Sequence, residues 1–192
     1  GKFLGSFTPE EIRACVRGAY TGGRFENDTP APLRQAGTDG TYLLELWHGP
    51  TCAFKDLALQ ILPRLMAASA AKRETKEEIV ILVATSGDTG KAALEGFADA
   101  EGTRVLVFYP QNGVSEMQKL QMRAQDGNNV AVCAIEGNFD DAQSGVKRIF
   151  TDEGMKSLLS AHGMRFSSAN SINWGRLLPQ IVYYVHAYAA LA

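Results

Sequence analysis

Residues 79–90 read Ile79-Val80-Ile81-Leu82-Val83-Ala84-Thr85-Ser86-Gly87-Asp88-Thr89-Gly90. An apolar run without a polar break ends in a turn of glycines and hydroxyls. A run of that length and character predicts a strand covered on both faces, as strands of parallel sheets are. The residues from Gly90 to Ala100 then read as a helix. The alternation repeats downstream. Val105–Tyr109 predicts a second strand, 115–124 a helix, and Val130–Ile135 a third strand. Asp140 or Asp141 is expected to cap a helix to about Thr151. Met164–Ser167 reads as a fourth short strand, and Trp174–Leu191 as a final helix. The expected fold is α/β: three layers, a parallel sheet with helices on both faces. Right-handed crossovers would place the strand C-terminal loops on one edge, where ligands of such sheets bind.

Upstream, Thr8 reads as an N-cap, with Pro9 at N1 and Glu11 at N3 of a helix to about Tyr20. Gly22-Gly23 stops it. Residues 24–40 read as a loop, rich in Gly, Pro, Asp and Asn. Tyr42–Trp47 predicts a short strand, broken at His48-Gly49-Pro50-Thr51. A long helix is expected from near Lys55 to about Lys72, kinked at Pro63.

The chain has 192 residues, 45% hydrophobic and 21% charged, with a formal charge of −2. That is the balance of a soluble globular protein, and it gives no reason to expect nucleic acid or membrane as partner. No apolar run approaches the roughly 20 residues of a spanning helix. The opening Gly1-Lys2-Phe3-Leu4 has no methionine, no apolar signal core and no cleavage site, so a cut or processed N-terminus is expected and a secretory signal is not. Cys15, Cys52 and Cys133 lack CxxC spacing and read as reduced thiols of a cytoplasmic protein.

Three loops carry candidate chemistry. Thr85-Ser86-Gly87-Asp88-Thr89-Gly90 joins a strand to a helix N-terminus, where free N–H groups and the dipole favour an anion. It fails the Walker A pattern at Thr85 and Ala92. A capped turn with no ligand is the plain alternative. Asp88 would repel an anion there and is expected to meet a hydroxyl or a cation. The second loop is His48-Gly49-Pro50-Thr51-Cys52-Ala53-Phe54-Lys55-Asp56. A lysine at a helix start opposes the dipole, and beside Ala53 and Phe54 its amine would be partly desolvated, as a Schiff-base lysine requires. An ordinary exposed lysine is the alternative. His48 reads as a turn residue with a satisfied ring. The third loop is Ser167-Ser168-Ala169-Asn170-Ser171-Ile172-Asn173-Trp174-Gly175-Arg176. Its hydroxyls, amides and Arg176 suit a phosphate, or else they simply begin a helix with Arg176 solvated.

Taken in order, HGPTCAFKD, ATSGDTG and SSANSINWGR, with QNGVSEMQKLQM between the second and third, resemble the threonine synthase branch of the fold-type-II pyridoxal-phosphate enzymes. The resemblance covers about residues 40–188. It implies that Lys55 carries pyridoxal 5'-phosphate as a Schiff base, flanked by Phe54 and Asp56, and that Asp88 contacts the cofactor's 3-hydroxyl. It implies that Thr85, Ser86 and Thr89 hold the substrate's carboxylate or phosphate. Asn170, Ser171 and Arg176 would grip the phosphate of O-phospho-L-homoserine, with Asn173 a weaker candidate. The implied reaction gives L-threonine and phosphate from that substrate and water. No metal is implied.

Relatives of this kind are expected to cradle the cofactor's phosphate in a loop resembling GNFGN. Gly137-Asn138-Phe139-Asp140 echoes it, without the second glycine and after the wrong strand. The sequence therefore reads as an internal fragment, with a sheet domain at about 79–167 and flanking segments at 1–55 and 168–192. Weak or absent cofactor binding, no turnover by this chain alone, and self-association through a surface that further segments would cover are the expected consequences. A dehydratase or cysteine synthase of the same fold, or a non-catalytic anion-binding or dimerising domain, are the competing readings.

Overall fold

The computed structural model describes residues 4–26, 29–73 and 77–192. The first helix, α1 (Pro9–Tyr20), carries the expected capping box: Glu11 N–H donates to Thr8 Oγ1 at 3.2 Å, and Thr8 N–H to Glu11 Oε2 at 2.7 Å. A small antiparallel pair follows, β1 (Leu33–Gln35) with β2 (Tyr42–Leu44). β1 lies within the stretch expected to be a loop, of which residues 27 and 28 are outside the described residues. β2 is also shorter than the expected strand over 42–47.

The long helix expected from Lys55 is two helices, α2 (Asp56–Leu59) and α3 (Leu62–Ala70). Pro63 causes a break rather than a kink. It has no N–H to give the carbonyl of Leu59, four residues back, and it suits the first turn of a new helix instead.

The main sheet has four parallel strands: β3 (Glu78–Ala84), β4 (Thr103–Pro110), β5 (Val130–Ile135) and β6 (Met164–Ser168), in the order β5-β4-β3-β6. Ile79 lies opposite Thr103 and Ala84 opposite Phe108, while Glu78 lies opposite Met164. Successive β3 side chains point to opposite faces. On one face Ile79, Ile81 and Val83 pack with Val105 and Val107 of β4 against Ala92, Ala93, Leu94 and Phe97 of α4 (Asp88–Phe97) and Met122 of α5 (Glu116–Arg123). On the other, Leu82 and Ala84 meet Ala142 and Val146 of α6 (Phe139–Thr151). The sequence expectation of a parallel sheet covered on both faces is met.

The N-cap of α6 is Asn138, not Asp140 or Asp141. Its side chain accepts from Asp140 N–H at 2.8 Å and Asp141 N–H at 3.2 Å, while Asp141 closes a capping box. A further helix, α7 (Glu153–Ala161), was not expected from the sequence and buries none of its residues. The last, α8 (Trp174–Leu191), has the expected bounds and leaves Ile181, Val182, Tyr184, Val185 and Tyr188 exposed. Among the described residues, no helix is long and apolar enough to cross a membrane.

Candidate active site

The C-terminal ends of β3 and β6 open into the 85–90 and 169–176 loops, and the 48–55 turn comes to the same edge. Asp56 organises that turn. It is fully buried, and its carboxylate accepts from Thr51 N–H at 2.8 Å, Thr51 Oγ1 at 2.6 Å and Ala53 N–H at 3.4 Å. Burial raises its pKa, and the Thr51 donors oppose that rise. Gly49 must be small here, because a Cβ would sit 2.6 Å from the Asp56 side chain.

This turn delivers Lys55 as the N-cap of α2. Its side chain is 15% exposed, with Nζ 3.6 Å from Asp88 Oδ2 and 4.5 Å from the centre of the Phe54 ring. Burial lowers the Lys55 pKa; Asp88 works against this, and the positive charges of Arg176 and Lys91 add to it. The desolvated lysine expected from the sequence is therefore present, and Asp88 meets cations as expected. Lys91, one turn along α4, brings a second ammonium within 3.8 Å of Asp88 Oδ1 and is itself buried.

Thr85 is buried, and its hydroxyl accepts from Gly87 N–H and Gly90 N–H, each at 2.9 Å. It thus caps the helix start from inside. Gly87 takes φ +138° as N-cap of α4. Ser86 is exposed and Thr89 half-buried on the same loop.

Asn170 Nδ2 donates to the Ala84 carbonyl at 3.0 Å, which pins the third loop to the end of β3. Asn173 is the N-cap of α8: it accepts from Gly175 N–H at 2.9 Å and donates to the Ser168 carbonyl at 2.7 Å. Ser171 is exposed. Arg176 is only 6% exposed. Its Nη1 donates to the Ala169 carbonyl at 3.4 Å, and its buried Nε has no partner among the described residues. Burial lowers its pKa below the ordinary arginine value.

Lys55, Asp88 and Arg176 thus share one electrostatic environment. The structure does not place Ser171 or Asn173 in contact with Lys55. Sequence reasoning missed Lys91 and Gln118, whose Nε2 donates to Asp88 Oδ1 at 2.7 Å. Lys91 could have been found from its spacing of three from Asp88 on a helix. Gln118 comes from another element, and its Ser115-x-x-Gln118 spacing spelled only a helix start.

Both ring nitrogens of His48 are paired, Nδ1 with Glu26 at 3.0 Å and Nε2 with Glu45 at 2.7 Å. An apolar cleft of about 580 Å³ between α1, α3 and α8, lined by Ile12, Ile61, Leu178 and Val182 among others, includes none of Lys55, Asp88 and Arg176. No cluster of three or more metal-ligating side chains occurs among the described residues.

A half-buried amine of lowered pKa, faced by a carboxylate and accompanied by a buried arginine with an unused donor, has the chemistry to suit an anionic aldehyde. Residues 25–183 match the pyridoxal-phosphate dependent enzymes, and the chain belongs to that family. Within it, the chain is 46% identical to threonine synthase of Pseudomonas aeruginosa over 183 residues, 95% of this chain and 37% of that protein. It is 43% identical to human threonine synthase-like 1 over 194 residues, covering 25% of that protein. Its fold superposes on PLP-bound threonine synthase from Brucella melitensis with a TM-score of 0.86 and 42% identity, covering 100% of this chain and 39% of that one. The Escherichia coli threonine synthase matches at 0.78 and 36%, over 95% of this chain and 39% of that one. The chain therefore spans about two fifths or less of the length of these relatives.

Proposed function

We propose that this chain supplies the lysine-bearing part of an enzyme that converts O-phospho-L-homoserine and water to L-threonine and phosphate. The observation that carries the reading is the meeting of Lys55, Asp88 and Arg176 from three distant segments.

Lys55 would hold pyridoxal 5'-phosphate through Nζ, with Phe54 and Asp88 beside it. When bound, that group supplies an electron sink for negative charge at a substrate carbon. The protein's own share is binding and proton handling. Burial leaves a larger fraction of Lys55 as free amine at neutral pH, the form that acts as nucleophile or base. As a free amine, Nζ would take a proton from the substrate carbon and return one, with Asp88 steadying the ammonium in between. Arg176, already dehydrated and with donors to spare, suits a phosphate dianion as a bidentate partner. Ser86 and Thr89 offer further hydroxyls at the N-terminus of α4. Asn170 serves the same end by holding the loop to β3.

By themselves these 192 residues are proposed to hold the cofactor weakly and not to turn over. The stretch 137–140 that echoes a phosphate cradle is closed upon itself by the Asn138 capping box. Three free thiols suit a reducing compartment, and the cytoplasm is the proposed one.

The test is to add cofactor, reduce with borohydride and map the adduct by peptide mass spectrometry. The chain should label at Lys55, weakly, and Lys55→Ala should not label there at all. A full-length protein containing this chain should release phosphate from O-phospho-L-homoserine and lose that activity on Lys55→Ala. Labelling of some other lysine in the full-length protein would sink the assignment.

A further inference from the structure

The two oxygens of Asp88 have different partners. Oδ1 accepts from Gln118 Nε2 at 2.7 Å and faces Lys91 Nζ at 3.8 Å, while Oδ2 faces Lys55 Nζ at 3.6 Å. The Asp88 side chain is 46% exposed. A carboxylate so open to water has little to hold its rotamer, and an unanchored surface pair is weak.

Gln118 supplies the anchor, and its own amide is held from behind. Ser115 Oγ donates to Gln118 Oε1 at 3.1 Å and accepts from Gln118 N–H at 3.3 Å. With the amide oxygen on a hydroxyl, Nε2 is the end left for the carboxylate; the reversed amide would set oxygen against oxygen. The loop is shaped for this side chain. Gly87 carries φ +138°, and a Cβ there would collide with the Gln118 amide. A contact spanning 30 residues is thus built into both partners.

We propose that Gln118 is a positioning residue: by holding Oδ1 of Asp88 it aims Oδ2 at Lys55. It touches neither Lys55 nor any reacting atom in this arrangement. The charged groups that act on Lys55 are Asp88 and Lys91 of α4 and Arg176 of α8, and Asp88 is the one negative group among them. Freed from Gln118, Asp88 turns toward water, and Lys55 is left with two cations.

The proposal rests on Lys55 being the reactive amine, but its test needs no cofactor. Lys55 in this chain is titrated by competitive acetylation with acetic anhydride across pH and read by peptide mass spectrometry. Asp88→Asn should lower the Lys55 midpoint. Gln118→Leu should lower it in the same direction by about half a pH unit, roughly a threefold rise in labelling at fixed pH. In the Asp88→Asn background, Gln118→Leu should add nothing, because its effect runs through that carboxylate. A general loosening of the fold would still move Lys55 there.

Gln118→Met, close in length, is the second variant. The unsubstituted chain gives a third reading: the Gln118 side-chain amide protons should exchange slowly and shift as Lys55 titrates. An unmoved midpoint in both variants, a shift that persists in the Asp88→Asn background, or amide exchange at the free-solvent rate overturns the proposal. Failure of cofactor to label Lys55 would instead strike the functional reading and leave this titration standing.

Discussion

Consider Gly96→Ala. Gly96 lies in the last turn of α4, and a methyl built on it would run into the Leu59 carbonyl oxygen, with the carbonyl carbon 2.8 Å away. Non-bonded carbons prefer about 3.5–4.0 Å, so α4 must withdraw from α2 by roughly 1 Å. Leu59, Leu94 and Phe97 around the contact are fully buried, which leaves no slack. Two effects oppose each other. Alanine is favoured over glycine in a helix by about 1 kcal/mol. Forcing a methyl into a packed contact costs about 1–3 kcal/mol. The atom struck is backbone and cannot rotate aside, so the upper half of that range applies. The net expectation is a loss of about 1–2 kcal/mol, or roughly 2–8 °C in melting temperature for a chain of this size. Thermal and urea unfolding would measure it. The same withdrawal pulls Asp88, at the start of α4, away from Lys55 at the start of α2, so the Lys55 titration should move as well. A variant that melts at or above the parent temperature would show that helix propensity wins and refute the tight backbone contact.

Asn138→Ala should cost about 1 kcal/mol by urea unfolding, while Asp140→Ala should cost far less, since Asn138 holds the N-cap of α6. Asn170→Ala removes the bond to the Ala84 carbonyl and should cost about 1 kcal/mol, with faster hydrogen exchange confined to residues near the third loop. His48 has its pKa raised above 6.5, first by Glu26 and then by Glu45. Its contribution is therefore complete below about pH 6.5 and is lost as pH rises through the elevated value. Melting temperature should fall over that window, and His48→Gln should flatten the fall; an equal slope in the variant would contradict the sign.

The first three strands of the main sheet were legible because they are apolar runs, and such runs have few other places to go. Expected bounds of 79–84 and 130–135 differ from the observed ones by a residue or less. The order β5-β4-β3-β6 was not legible, since periodicity shows which face is covered but not which strand lies beside which. α7 escaped the reading although Met155, Leu158 and Leu159 are spaced as on one helix face; in the fold it buries none of its residues. β1 is three residues long, too short for alternation to stand out, while β2 falls within the strand expected over 42–47 but ends at Leu44. At the site, Lys55 and Asp88 were readable singly, one from its place at a helix start and the other as a carboxylate among donors. Their partnership with Gln118 was not, because a hydrogen bond between elements leaves no mark on local sequence. Pro63 was read as a kink by the rule for helix interiors; in the fold it occupies the first turn of α3, where its missing N–H does no harm.

The position of β6 beside β3 has a consequence for how the chain is made. About 80 residues separate Ala84 from Met164, yet the two strands are neighbours. β4 and β5 can assemble on one side of β3 while the ribosome is still adding the rest. At about 5–20 residues per second, the other side of β3 waits roughly 4–16 s for its partner. Over that interval the nascent chain presents an uncovered apolar strand edge, a template for pairing with the wrong molecule. Arg176 follows β6 closely in the chain, so Lys55 and Arg176 come into one environment only once that edge can close. The step that seals the open edge therefore also brings the Lys55, Asp88 and Arg176 charges together.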